Sequence, residues 1–206
     1  GYNITIFDKN SKIGGRILTD HEQGFTLDHG FQVFLPDYPE ARLAFDFSKL
    51  ELVGFEAGAL IKIGNKFHHF SDPMRNPKNI ISTLVSPIGS IKDKLLILKL
   101  KRSVLKIDKS LHNISTKKYL KEFGFSQNII DRFFTPFFSG IFLERELKTS
   151  AYFFSFLFSL FSKSNACVPK EGMMQLPLNI ASQLENTSFK LSSDVTQINK
   201  QSVVIN

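Results

Sequence analysis

The sequence lacks tryptophan and contains a single cysteine, Cys167. One cysteine excludes an internal disulfide framework and a cysteine-rich metal site, and it indicates an intracellular, cytoplasmic protein. No segment has the pattern of a signal peptide. The apolar stretch AYFFSFLFSLF, at 151–161, extends over only 11 positions, whereas a membrane-spanning helix needs about 20. This stretch therefore predicts a buried or pocket-lining helix.

The composition is that of a globular protein. The chain has 206 residues, 42% hydrophobic and 22% charged, which suffices for one large domain or two small ones. The 22 phenylalanines carry little functional weight by themselves. The net charge of +7 suits a partner that carries phosphate, whether a cofactor, a membrane surface or a nucleic acid.

Periodicity predicts an α/β fold with a helical insertion. Strands are expected at 3–7, around 25–34 and in the closing residues, with a hairpin at 60–70 about Gly64-Asn65. Pro36 and Pro39 open a predicted helix at 38–48.

The stretch from 77 to 163 has a helical pattern, with apolar residues recurring near the 3.6-residue period. We expect Thr116 to cap one helix, Gly124 to end it and Ser126 to cap the next. Pro136 predicts a break in the helix after that.

One short segment carries the chemistry. The first strand ends at Asp8, and Gly14, Gly15 and Arg16 follow. A carboxylate at a strand end accepts both hydroxyls of an adenosine ribose, glycines let the backbone approach a ligand, and arginine offers a charged fork to pyrophosphate. Taken singly, each feature also fits a solvated aspartate, a tight turn or a surface charge.

Together, Asp8, KNSKIGGRILT and GFTLDHGFQVF resemble the flavin-containing amine oxidase and phytoene desaturase-like superfamily. These FAD-dependent oxidoreductases include protoporphyrinogen oxidases. The segments SDPMRNP, RFFTPFFSGIF and VPKEGMMQLPLNIASQL are similar to segments at matching places in that superfamily.

The resemblance implies a partial FAD-binding Rossmann-like domain, interrupted by a largely helical α+β substrate domain. Residues 1–52 and 167–206 would belong to the FAD-binding domain, and 53–166 to the substrate domain. The Gly-x-Gly-x-x-Gly turn expected before the first strand is not in the sequence, nor is the C-terminal flavin-binding segment. We therefore expect a fragment of a longer flavoenzyme, binding FAD weakly or not at all by itself.

The resemblance implies six cofactor-binding positions: Asp8, Gly14, Gly15, Arg16, Gly30 and Val195. Asp8 would bind the adenosine ribose, and the backbone of Val195 would meet the adenine. The Gly-Gly-Arg turn would lie along the pyrophosphate and flavin, with Gly30 near the isoalloxazine.

Two positions depart from the superfamily pattern. The usual Gly-Gly-Met is here Glu171-Gly172-Met173, which puts the fit of that turn in question. The ribose-binding residue is commonly glutamate, which reaches one methylene further than Asp8.

The implied activity is transfer of a hydride, or its equivalent, to the flavin from a C–N or C–C bond. The Phe-rich run 133–142 and the helix 151–161 would line a pocket for a large apolar substrate, although the same phenylalanines fit a core equally well. No side chain stands out as a catalytic acid or base. The alternatives are a non-catalytic protein of the same fold, a peripheral membrane-surface protein, and an NAD enzyme, which the Gly-Gly-Arg turn disfavours.

The histidines do not predict a metal site. His68 and His69 are adjacent and would face opposite sides of a strand, and the others lack partners at ligand spacing. His29 is either a flavin-side or substrate-side group or, as we favour, a structural residue. Cys167 follows an apolar helix and is expected to be a buried, inert thiol.

Residues 92–121 contain ten lysines and arginines against two aspartates. Interleaved with leucine and isoleucine, these charges suit either an anionic membrane surface or the solvated face of a packed helix. Nucleic-acid binding is not predicted, because no reading motif accompanies the charge.

Overall fold

The computed structural model describes residues 2–30, 33–72 and 75–206. The segments GFTLDHGFQVF and SDPMRNP each include two residues outside these ranges. The chain divides into two compact units, Gly1–Gly54 with Ala166–Asn206, and Phe55–Asn165. The functional roles given to 1–52, 53–166 and 167–206 stay predictions.

The described strands and helices occur mostly in groups: six strands and one short α-helix come before residue 72, six α-helices follow between 80 and 163, and the remaining strands and one more α-helix come after them. The strands are β1 (Ile4–Phe7), β2 (Leu18–Glu22), β3 (Phe25–His29), β4 (Leu52–Gly54), β5 (Gly58–Ile63), β6 (Lys66–Ser71), β7 (Cys167–Pro169), β8 (Thr187–Lys190), β9 (Val195–Ile198) and β10 (Val203–Ile205). The α-helices are α1 (Pro39–Ala44), α2 (Ile80–Val85), α3 (Ile91–Ser103), α4 (Thr116–Phe123), α5 (Gln127–Ile129), α6 (Thr135–Phe142), α7 (Ala151–Lys163) and α8 (Gln175–Ala181). A π-helix, Ile130–Phe134, joins α5 to α6.

In the first unit, β1 and β8 pair in parallel, with Ile4 opposite Thr187. The pairs β2–β3, β4–β7 and β9–β10 are antiparallel. This unit has a small apolar core, which consists of Phe34, Ala41, Leu50, Cys167, Met173 and Leu176. The core therefore joins segments from both ends of the chain.

The second unit combines the β5–β6 hairpin with helices packed through aromatic rings. Phe134, Phe138 and Phe154 are fully buried, and the rings of Phe138 and Phe154 lie 4.7 Å apart between centroids. Edge-to-face ring pairs add stability beyond their buried area, by about 1 kcal/mol each. Much of the phenylalanine run is therefore core.

The mixed α/β character is confirmed, as are the hairpin about Gly64, the helical stretch from 77 to 163 and the buried helix at 151–161. The predicted end at Gly124 is confirmed, because that residue has the left-handed conformation of a C-cap. Ser126 caps the following helix, accepting a hydrogen bond from the N–H of Ile129. The Rossmann-like assignment itself stays a prediction.

Three local predictions are wrong. The helix expected at 38–48 ends at Ala44, because Phe45 is extended and Asp46 instead caps a short 3-10 turn. The cap of α4 is Ser115 rather than Thr116, since the Ser115 hydroxyl accepts the N–H of Lys118.

Pro136 does not break the helix. The helical backbone runs from the π-helix Ile130–Phe134 directly into α6, whose first turn contains Pro136. The proline is therefore accommodated where the hydrogen-bond pattern changes from π to α.

Candidate functional site

The first predicted site residue lies where the two parallel strands end. The N–H of Asp8 donates to the carbonyl of Lys190 at 3.1 Å, and the Asp8 carbonyl accepts from the N–H of Ser193 at 2.9 Å. Val195 begins β9 two residues after Ser193. The structure therefore brings Asp8 to the segment that leads into Val195, at the carboxyl ends of parallel strands, where α/β sheets bind their ligands.

The Asp8 carboxylate has one oxygen engaged and one available. Its Oδ1 accepts from the backbone N–H and side-chain amide of Asn10, at 2.8 and 2.9 Å. Among the described residues, Oδ2 has no hydrogen-bond partner. Asn10 thus fixes the carboxylate and leaves an oxygen for a ligand hydroxyl. The sequence reasoning missed Asn10, although an Asp-x-Asn stretch after a strand is typical of such a turn.

The two adjacent glycines have different reasons to be glycine. Gly14 has a φ of 127°, and an added Cβ would lie 2.4 Å from the carbonyl oxygen of Ile17. Gly15 has a φ of 57°, and an added Cβ would meet nothing within 4 Å. The first glycine is therefore required by the tight turn, whereas the second leaves open space beside a left-handed backbone.

Arg16 is exposed, and within the described ranges its guanidinium makes no hydrogen bond or ion pair. Its carbonyl oxygen lies 3.5 Å from where a Cβ on Gly30 would be. The structure therefore brings Arg16 and Gly30 together, at the open end of the β2–β3 hairpin. Among the described residues, no hydrogen bond joins this end to Asp8.

A hydrogen-bond network next to this turn, formed by the buried Thr19 and the exposed Asp28, was not predicted. Asp28 accepts from the Thr19 hydroxyl at 2.6 Å and from the N–H of Met173 at 2.7 Å, and the Thr19 hydroxyl accepts from the N–H of Met174 at 3.0 Å. Thr19 and Asp28 face each other across β2 and β3. These contacts hold the turn before α8, so Asp28 is a positioning residue.

The same contacts explain why Glu171 can replace the first glycine of the family's Gly-Gly-Met pattern. Gly172 has a φ of 93°, and a Cβ there would lie 2.3 Å from Cγ2 of Thr19 and 2.9 Å from Oδ1 of Asp28. Glu171 is exposed and has no positive φ. The second glycine of the family pair is therefore required by this turn, and a side chain in the first position is accommodated.

Other candidate groups have structural partners. Nε2 of His29 lies 2.6 Å from Oδ2 of Asp20, and this contact, followed by one from Lys12, lowers the pKa of Asp20. The predicted buried thiol is confirmed: Cys167 is buried, and burial raises its pKa. No three His, Cys, Asp or Glu side chains of the described residues are grouped to hold a metal ion.

The second unit has a cavity of 620 Å³ between β5 and the π-helix–α6 segment. Its lining residues are Ala59, Leu60, Ile61, Lys62, Ile63, Gly64, Asp131, Arg132, Phe133, Pro136 and Phe137. Three residues of the predicted pocket run, Phe133, Pro136 and Phe137, line it, whereas Phe134 and Phe138 are core. No residue of α7 is part of this lining.

The whole chain, residues 1–206, matches the family model of the flavin containing amine oxidoreductases. The chain therefore belongs to that family, and the resemblance seen in the sequence is confirmed. Comparison with curated protein sequences gives no match.

Solved structures show the same fold at low identity. A protein from Pyrococcus furiosus matches 98% of the chain with a TM-score of 0.65 at 17% identity. A protein assigned as a protoporphyrinogen oxidase from Exiguobacterium sp. 255-15 matches 99%, at 0.58 and 18%. Putrescine oxidase bound to putrescine matches 97%, at 0.58 and 16%.

The chain spans about half the length of these structures, namely 49%, 51% and 48%. It is therefore similar to part of the amine oxidase fold. Among the described residues, none of the helices has the length and apolar character needed to cross a bilayer.

The family implies FAD, and the described residues fit parts of that molecule. The free Asp8 oxygen suits a ribose hydroxyl, and the unpaired guanidinium of Arg16 suits a phosphate. The open space at Gly15 allows a ligand to approach the backbone.

Proposed function

We propose that this chain forms part of an FAD-dependent oxidoreductase, with Asp8, the Gly14–Arg16 turn, Gly30 and Val195 holding the cofactor. The observation that carries the proposal is the unpaired Arg16 guanidinium on a turn whose neighbouring glycine leaves open space. A permanent positive charge without a protein partner, next to a backbone that a ligand can approach closely, is an arrangement that suits a pyrophosphate.

Each of these residues would have a different role in binding the cofactor. Asp8 would accept a ribose hydroxyl at its free oxygen while Asn10 holds the other oxygen in place. Arg16 would neutralise phosphate charge, and the Thr19–Asp28 network would keep the turn before α8 rigid. When bound, FAD supplies the redox chemistry by accepting a hydride, or its equivalent, from a C–N or C–C bond.

The substrate is proposed to be apolar. The cavity of the second unit supports this, because its walls are mainly aliphatic and aromatic, with Phe133 and Phe137 on the helical side. Lys62, Asp131 and Arg132 add polar groups that would orient a substrate carrying a polar end.

The cofactor proposal is tested by expressing the protein from its complete gene and recording its visible spectrum, before and after reconstitution with FAD. We expect the absorption of oxidised flavin, and its loss in Asp8→Ala and Arg16→Ala. Arg145→Ala is the matched control, because Arg145 is also exposed and unpaired within the described ranges. A colourless protein that cannot be reconstituted overturns the proposal.

A further inference from the structure

Two neighbouring helices of the second unit expose large aliphatic side chains to solvent. The five residues are Ile81, Leu84 and Val85 on α2 and Ile91 and Leu95 on α3, with exposed fractions of 76, 47, 76, 66 and 62%. Large apolar side chains concentrated on a surface in this way mark an interaction site more often than isolated ones do. We call these five residues the aliphatic face.

The orientation of α2 is fixed by its opposite side. Thr83 is buried, and its hydroxyl accepts the N–H of Ser71 at 3.2 Å, which anchors α2 to β6. Positions 81, 84 and 85 have the i, i+3, i+4 spacing of one helix face. They therefore point away from the hairpin.

Helix α3 is fixed in the same manner. Asp93 and Leu100 are buried, whereas Ile91 and Leu95, one turn apart, are exposed. The ammonium group of Lys94 donates to the carbonyls of Leu84 and Ser86, at 2.7 and 3.0 Å. These bonds tie the end of α2 to the first turn of α3, and these two helix ends carry the exposed apolar side chains.

The segment that carries the aliphatic face exposes charge of one sign. Between residues 75 and 107 the sequence has a single carboxylate and eight cationic side chains, which are Arg75, Lys78, Lys92, Lys94, Lys99, Lys101, Arg102 and Lys106. The carboxylate, Asp93, is 1% exposed and accepts hydrogen bonds from Ser90 and Ser126. The exposed surface of this segment therefore carries positive charge alone.

Some of these cations are engaged within the protein and others are not. Lys94 and Lys101 have protein partners, the latter Asp72. Lys78, Lys92 and Arg102 are exposed and, within the described ranges, unpaired. On α3, positions 91, 92, 95, 99 and 102 share one side of the helix, so the cations flank the aliphatic residues.

We propose that the aliphatic face and its flanking cations bind the surface of an anionic lipid bilayer. Aliphatic side chains would enter the headgroup–acyl boundary while Lys78, Lys92 and Arg102 contact lipid phosphates. A protein partner fits less well, because interface centres are enriched in aromatic residues, and residues 75–107 contain none. Binding of this kind needs no membrane-spanning helix.

The structure places this surface differently from the segment 92–121 considered from the sequence. The overlap is α3. Lys118, further along, pairs with Glu122 at 3.7 Å. The proposal is also independent of FAD binding, since it uses none of the residues proposed to hold the cofactor.

The test is co-sedimentation of the full protein with vesicles of phosphatidylcholine, and with vesicles in which about one lipid in three is phosphatidylserine. We expect binding to the anionic vesicles only, weakening as salt is raised. Lys92→Gln with Arg102→Gln should lower the partition coefficient about fivefold for each cation removed. The matched control is Lys117→Gln with Lys121→Gln, two exposed lysines on α4, which should leave binding nearly unchanged.

The aliphatic contribution is tested separately. Ile81→Ser with Val85→Ser should lower binding to anionic vesicles about tenfold or more, while Leu43→Ser, at an even more exposed site on α1, should not. Sedimentation velocity on the same samples measures self-association. No binding to anionic vesicles, unchanged binding by the Ile81/Val85 variant, or a dimer that this variant dissociates would each overturn the proposal.

Discussion

Two glycines provide a controlled test of the cofactor site. Gly15 and Gly64 have φ values of 57° and 58°, and an added Cβ at either would meet nothing within 4 Å. Alanine in this left-handed conformation costs about 1 kcal/mol, with no clash at either site. Gly15→Ala and Gly64→Ala should therefore lower the free energy of unfolding equally, and the melting temperature by about 2–4 °C each.

The two variants should differ once FAD is added. If the pyrophosphate lies along the Gly14–Arg16 turn, the Cβ at position 15 fills space that the cofactor uses, whereas Gly64 lies in the β5–β6 turn. A tenfold loss of FAD affinity in Gly15→Ala alone would reduce the stabilisation by saturating FAD by about 1.4 kcal/mol. Thermal unfolding of the protein from its complete gene, with and without FAD, measures this difference.

The outcome that contradicts the site is clear. Equal FAD-induced stabilisation of Gly15→Ala, Gly64→Ala and the unmodified protein means that no cofactor approaches this turn. Unequal stability of the two variants without FAD would instead show that the Cβ at one position has a neighbour. The pair thus separates a fault in the binding argument from a fault in the packing argument.

Three further predictions concern single residues in packed or cavity-lining positions. Gly172→Ala should lower the free energy of unfolding by about 3 kcal/mol, because the backbone is left-handed there and the added Cβ clashes with Thr19. Urea unfolding measures this loss, and a value below about 1 kcal/mol would contradict the argument. Burial alone would raise the pKa of Asp93, but hydrogen bonds from Ser126 and Ser90 outweigh it and lower the pKa. The stability that Asp93 contributes should therefore be fully present above its unfolded pKa of about 3.9, and it should be lost as the pH falls through the lower folded pKa. Asp93→Asn should be about 2 kcal/mol less stable at pH 7. In unfolding titrations, this variant should lack the pH dependence. Phe137→Ala should weaken binding of an apolar fluorescent probe several-fold if the probe occupies the cavity of the second unit, and unchanged fluorescence enhancement would argue against that cavity as the apolar site.

The sequence predicts much of the local structure where a single residue type decides the conformation. Gly124 ends α4 because only glycine takes that left-handed cap without strain, and Gly64 forms the hairpin turn for the same reason. Strand β2 was not predicted, because the polar residues Thr19 and Asp20 interrupt the alternation of apolar residues that is typical of a strand. Its signal was the Gln23-Gly24 pair, whose φ values of 49° and 84° are those of a two-residue hairpin turn.

The periodicity of the sequence did not predict which face of a helix is buried. Ile91 and Leu95 recur at helical spacing, and this correctly predicts α3, yet both are exposed while Asp93 is buried. The sequence cannot show this because Asp93 is buried for its bonds to Ser126, 33 residues away. The depth of a charged residue depends on partners that only the tertiary fold brings near.

The segment Asp28-His29-Gly30 shows how a family motif separates into parts with different purposes. The Asp28 carboxylate bonds within the protein: it accepts from the Thr19 hydroxyl and from the N–H of Met173, and so holds the backbone before α8. Gly30 lies beside the carbonyl of Arg16, with a φ of 92°, on the side proposed for the cofactor. Residues two apart in a strand lie on the same side of it, so Asp28 and Gly30 would share a side if β3 continued. The strand ends at His29, between them. The chain turns there, so the aspartate can stabilise the fold while the glycine leaves room for a ligand.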